Sequence, residues 1–233
     1  MSRINNKKWG LGLIVLCLLF QSSLFAQNEV TDFGTNLGID LSKKFGKKFE
    51  VGVGEEFRTK NNVSEVDRFM TGVDVSYAPI RRYLKLGVGY VFIANWQEVE
   101  EYYNLRHRFF GQASTKYDLS RFTFGLRSRY QYTWLDESQK RHKWNPRCYW
   151  RNKLNVSYKV PKIALSPFVS GEIFYQTNYY KGNVIDAYRL EAGLKYDFDK
   201  RNSLEFAFRY DEDINIKAPT SKISVGLFYS YSF

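Results

Sequence analysis

His107 and Ser128 are the first pair to weigh for chemistry, because an imidazole beside a hydroxyl is the smallest general base and nucleophile for acyl transfer. Both sit on the apolar parity of neighbouring alternating segments, 104–117 and 121–134. Pairing those segments through the turn Asp118–Ser120 sets Ser128 opposite about Gly111, four residues from His107. That is roughly 13 Å at the rise of a strand, too far for direct proton transfer. No catalytic residue is assigned, the chain is expected not to be an enzyme, and His107 reads as an interfacial aromatic. His142 lies among Lys140, Arg141 and Lys143 with no second ligand at metal spacing, so neither a metal nor another cofactor is expected. Gly52-Val-Gly54 and Gly87-Val-Gly89 look like phosphate loops but sit inside alternating segments with no helix after them, which removes the mechanism.

Charge is the other chemistry on offer. Opposite the apolar parity, Arg106 and Arg108, Arg127 and Arg129, and Arg151 and Lys153 put six cations on three consecutive segments, assigned near the loop end of each. Gln112, Arg189 and Arg209 share that parity with Glu172, Glu191 and Glu205, among further acids and bases. Gly52, Gly54, Gly72, Gly87, Gly89, Gly125 and Gly193 on the same parity are expected to make room for the long charged side chains. Two readings follow. Paired charges can fill a narrow barrel, since an unpaired buried charge is costly. Alternatively, a cationic wall can flank a water-filled passage and favour anions.

These residues need a scaffold of period two. Eleven segments alternate, at about 33–42, 49–58, 67–77, 83–93, 104–117, 121–134, 148–159, 166–176, 187–198, 203–212 and 222–233. Short connections (Lys43–Lys48, Ala78–Arg82, Asp118–Ser120, Val160–Ala164, Asp199–Asn202) take turns with longer polar ones (Lys60–Glu65, Asn95–Tyr103, Leu135–Arg147, Thr177–Asp186, Asp213–Ser221). Alternation alone also fits a soluble barrel. The aromatics decide between them: on the apolar parity Tyr77, Tyr117, Tyr158, Phe198 and Phe233 close segments at short turns, while Phe92, Trp134, Tyr175 and Tyr210 close segments at long loops. Two aromatic rows bounding an apolar band are the girdles of a membrane barrel. The expected fold is therefore an all-β, antiparallel, up-and-down transmembrane barrel of about 10–12 strands, formed by residues 27–233. Parity is the difficulty: eleven strands would leave the first and last running parallel, whereas single-chain bacterial barrels normally have an even number. Either a strand has escaped notice or segment 33–42 joins the wall in an unusual way.

Export fits this reading. Arg3, Lys7 and Lys8, an apolar run from Trp9 to Phe20, and Ser22, Ser23 and Ala26 before Gln27 read as a secretory leader over 1–26. Its removal takes away three cations and lowers the formal charge of +11 to +8. No later apolar stretch is long enough for a transmembrane helix. Cys148 is the one cysteine beyond the leader and reads as a small apolar residue. The spread-out positive balance suits anionic lipid headgroups rather than nucleic acid. Lys140, Arg141, His142 and Lys143 could meet lipopolysaccharide phosphates. Leu227, Tyr229, Tyr231 and Phe233 resemble the terminal signature recognised by the barrel-assembly machinery.

Five phrases carry a family resemblance: Leu105–Gln112, Gly125–Tyr130, Trp150–Leu154, Pro167–Glu172 and Tyr188–Leu194. In that order they resemble the uncharacterised bacterial outer-membrane family called domain of unknown function 2490. The resemblance implies a barrel in the outer membrane and, since that family has no established activity, leaves the role open. The residues themselves suggest a narrow, anion-leaning channel or transport accessory. The alternatives are a structural or lipopolysaccharide-binding barrel and, last, a lipid-modifying enzyme.

Overall fold

The computed structural model describes residues 32–80, 83–97, 101–135, 146–179, 181–216 and 219–233. The leader over 1–26 and the cluster Lys140, Arg141, His142 and Lys143 lie outside the described residues. The eleven alternating segments form eleven strands: β1 (Asp32–Phe45), β2 (Phe49–Lys60), β3 (Glu65–Ile80), β4 (Leu84–Gln97), β5 (Tyr102–Leu119), β6 (Phe122–Leu135), β7 (Arg147–Tyr158), β8 (Leu165–Gln176), β9 (Val184–Asp197), β10 (Asn202–Asp213) and β11 (Ser221–Ser232). Each pairs antiparallel with the next, and the ring closes between β1 and β11.

That closure answers the parity question. Among the described residues there is no twelfth strand; β1 and β11 run parallel, in register from Asp32↔Lys222 to Ser42↔Ser232. A parallel ladder is slightly weaker per residue than an antiparallel one, and side chains tie this seam further. The Asn36 amide and Ser224 hydroxyl lie 2.9 Å apart, and Lys222 Nζ donates to Thr59 O at 2.9 Å while pairing with Asp32 at 3.2 Å. At the far end the Phe233 amide donates to Ser42 O at 2.8 Å.

The period of two sorts the residues inside out relative to a soluble protein. Val88 is 64% exposed and Leu154 55%, whereas Asn36, Ser76 and Ser224 on the inner face are each 2% exposed or less. Among the described residues the buried apolar set is small: Met70, Ile93, Cys148, Phe168 and Ala207.

Strands β2 to β5 run beyond the apolar band, so the connections 61–64 and 98–101 are shorter than the polar stretches around them suggest. Backbone pairing needs no apolar side chain, and polar pairs such as Asn95↔Asn104 extend the ladder. Asn61 and Asn62 turn the first of these in the left-handed region that asparagine tolerates, and Gly46 does the same in the turn 46–48. In the turn 198–201, the Asp199 carboxylate accepts the backbone N–H groups of Arg201 and Asn202 and the Asn202 side-chain amide. These donors hold that carboxyl below its ordinary range.

Candidate functional site in the barrel lumen

The inner face encloses a cavity of about 1080 Å³. Its lining runs from Arg147, Asp213 and Thr220 at the long-loop end down to Asp40, Asp74 and Phe228. Of the twelve residues assigned to the lumen from sequence, Arg108, Arg127, Arg129, Arg151, Lys153, Glu172, Arg189, Glu191 and Arg209 line it. Arg106, Gln112 and Glu205 are outside that lining. Arg106 lies on the inner parity higher on β5, and its Nε is buried without a partner. Gln112 instead accepts both Arg129 Nε and Nη2, at 3.0 and 2.6 Å.

The two sides of the cavity carry charge differently. From β5, β6 and β7 come Arg108, Arg127, Arg129, Arg147, Arg151 and Lys153, with no carboxylate among their lining residues. From β8 to β10 come acids and bases in alternation. Glu172 accepts Arg127 Nη2 at 2.7 Å and both Nε and Nη2 of Arg151 at 3.1 and 2.8 Å, with Arg189 Nη1 at 4.0 Å. Glu191 takes Lys153 Nζ at 3.0 Å and Arg209 Nε at 2.9 Å. Arg189 donates to Asp211 at 2.5 Å, and Arg209 reaches across the seam to Glu56 at 3.9 Å. Glu56 in turn accepts Arg58 at 2.8 Å. Such multiply bonded ions can sit out of water because each lone pair meets a donor.

Arg147 opens β7 at the rim, outside this belt, and two cations deeper in the lumen escape it as well. Arg108 donates to Thr133 Oγ1 at 3.2 Å, and Arg129 rests on Gln112 and on the Phe110 ring, 4.1 Å from its centroid. Neither forms an ion pair among the described residues. Arg129 also stands directly opposite Arg151 in register, and Arg127 opposite Lys153. Like charges side by side are destabilising, and here aromatic faces offset part of the cost. The Phe174 centroid lies 4.4 Å from Arg151 and 5.4 Å from Arg189.

Several details differ from the sequence reading. Arg127, Arg129, Arg151 and Lys153 lie at mid-height, since β6 and β7 extend well past them toward the long loops; only Arg106 and Arg108 are near the loop end. The inner glycines serve several kinds of side chain. A Cβ on Gly52 or Gly54 would come within 2.7 Å of Asp74 or Asp40, whereas Gly89 and Gly193 receive the rings of Phe110 and Phe168. Phe228 lies likewise against Gly38 and Gly226. These inward rings were missed, although alternation puts each on the charged parity, with glycine directly opposite in register (Gly38↔Phe228, Gly89↔Phe110 and Phe168↔Gly193). Arg147, expected in a loop, opens β7.

On the outer face, Phe92, His107 and Trp134 stand abreast on β4, β5 and β6. His107 Nδ1 is 2.7 Å from the Tyr90 hydroxyl. Tyr175 and Tyr210 lie near the same end of β8 and β10, on the parity of exposed Ile173 and Phe208. Tyr77 packs on Phe49 and Tyr158 on Phe122 at the short-turn end, where Tyr117, Phe198 and Phe233 are exposed. The register estimate for Ser128 is corrected: it faces Ala113, six residues from His107, because β5 runs on to Leu119 before the turn. Its hydroxyl accepts the Trp150 indole N–H at 2.7 Å.

This architecture defines a class: a closed eleven-stranded β-barrel, apolar outside, with an ionic lumen. Within that class, the chain belongs to the family of proteins of unknown function DUF2490, whose family model matches residues 33–219. No curated protein matches it.

Proposed function

We propose that the protein is exported, sits in the outer membrane of a Gram-negative cell and acts as a narrow, anion-leaning channel or transport accessory. The membrane part is supported by the outward apolar band. His107 and Tyr117 on β5 mark its two aromatic edges, ten residues apart. That is roughly 34 Å along a strand, or about 26 Å of height at a tilt near 40°, close to the apolar band of outer-membrane barrels. The observation that carries the anion reading is the β5–β7 wall, with six lining cations and no lining carboxylate.

A second reading rests on the belt around Glu172 and Glu191, whose ion pairs fill part of the lumen. There the barrel is a structural element that meets lipopolysaccharide or a partner through its loops and catalyses nothing. The readings separate on one experiment. Refolded protein in planar bilayers and in liposomes is expected to give small conductance steps and uptake of small anions. Silence in both assays, with the protein shown to be inserted, would leave the structural reading. In that case neutralising Lys140, Arg141 and Lys143 together should weaken lipopolysaccharide binding.

A further inference from the structure

The unpaired charges of the lumen are of two signs. Asp40 on β1 and Asp74 on β3 line the same cavity as Arg108 and Arg129. Among the described residues neither carboxylate receives a hydrogen bond or ion pair, although Glu56, Glu172, Glu191 and Asp211 each do. Both acids lie in recesses: the missing side chains of Gly54 and Gly52 leave room for Asp40 Oδ1 and Asp74 Oδ1, each 2.7 Å from where a Cβ would stand.

Along the register between these acids and the arginines no charged residue intervenes; Glu56 and Lys85, the latter paired with Glu50 at 3.0 Å, flank it within electrostatic reach of Asp40 and Asp74 respectively. From Asp40, the hydrogen-bonded register passes Gly54, Gly72 and Val91 and arrives at Arg108. From Asp74 it passes Gly89 and arrives at Phe110, on which the Arg129 guanidinium rests. Asp74 and Arg129 lie within electrostatic reach of each other but form no ion pair. Two inter-strand spacings separate β3 from β5, about 10 Å along the wall, and four separate β1 from β5, about 19 Å, so the Asp74 line is the span a short solute can bridge. A strip with an unpaired carboxylate at one end, an unpaired guanidinium at the other and small or apolar residues between complements a molecule carrying both charges.

We infer that the cavity binds small zwitterionic solutes along the β2–β4 wall, with the anionic group on Arg108 and Arg129 and the cationic group on Asp40 and Asp74. Each end of such a solute replaces a counter-ion the wall lacks, whereas a simple anion satisfies the arginines and leaves both carboxylates bare. The inference deepens the channel reading and rests on its premise that solutes enter the lumen.

Isothermal titration of the refolded protein in detergent micelles tests it, with γ-aminobutyrate, ε-aminocaproate, butyrate and n-butylammonium as probes. The better of the two amino acids is expected to bind at least tenfold more tightly than either singly charged probe. Replacing Asp40 and Asp74 together by asparagine should reduce it to the affinity of butyrate and leave butyrate unchanged. Butyrate binding as tightly as both amino acids overturns the inference and leaves the anion reading standing. Binding of no probe overturns both. Discrimination among probes by the unaltered protein decides the matter even where a variant fails to fold.

Discussion

The β5–β7 wall and the β8–β10 wall face one cavity, β5–β7 charged by cations alone and β8–β10 by acids and bases together, and part of the cationic wall keeps charge that the mixed wall would cancel. On β8–β10, Glu172 and Glu191 each bind two or more cations, and their side chains are 2% and 4% exposed. On β5–β7, Arg108 and Arg129 have a hydroxyl, an amide and an aromatic ring in place of carboxylates. The first arrangement stabilises the barrel and cancels its own field. The second preserves a field for something outside the protein to answer. A lumen can therefore be ionically filled and electrostatically active at once.

Removing the Glu172 carboxylate should show the difference most strongly. Glu172→Ala leaves Arg127 and Arg151 without their shared counter-ion, at an expected cost of about 3–5 kcal/mol. Arg129→Gln removes a cation from the other wall and relieves its repulsion with Arg151, so it should cost less than about 2 kcal/mol. Urea unfolding of both variants in vesicles checks the ranking. Equal losses would mean that the two walls do not differ as described.

Glycines that receive a neighbour should matter alike beside both walls, at Gly89 on β4 against Phe110 of β5 and at Gly193 on β9. A Cβ on Gly89 would lie 2.4 Å from the Phe110 ring and one on Gly193 would lie 2.3 Å from Phe206 O, so Gly→Ala at either should cost about 1–3 kcal/mol. Gly111, where a Cβ meets nothing within 4 Å, should tolerate alanine within about 0.5 kcal/mol. A large loss at Gly111 in the same unfolding assay would show that the cost at Gly89 and Gly193 does not come from the contacts described. A small effect is also expected at the aromatic row on the outer side of β5. Because His107 stands in an aromatic row and Ser128 is bound by Trp150, His107→Phe should change stability by less than about 1 kcal/mol and leave phospholipid hydrolysis by the purified protein at its background level.

Strand positions were legible because a wall with one apolar face imposes period two on every strand, and the eleven segments match the observed elements to within a few residues. Strand number was legible too, but its consequence was not. A parallel seam leaves no local mark, since Asn36 and Ser224 are 188 positions apart in the chain. Which cations are paired was equally hidden. Arg127 and Arg129 share a strand and a parity, yet only Arg127 reaches Glu172, two strands away. The arginine that rests on Phe110 differs from it only in height along the barrel. Loop lengths failed where polar residues continue the ladder, as at Asn95 and Asn104.

The most direct test of the account is the sign of the reversal potential across a planar bilayer containing the refolded protein under a potassium chloride gradient. The account predicts a potential displaced toward that of chloride, and a displacement toward that of potassium when Arg108 and Arg129 are both replaced by glutamate. A conducting protein whose reversal potential favours potassium, or ignores those two substitutions, would contradict it.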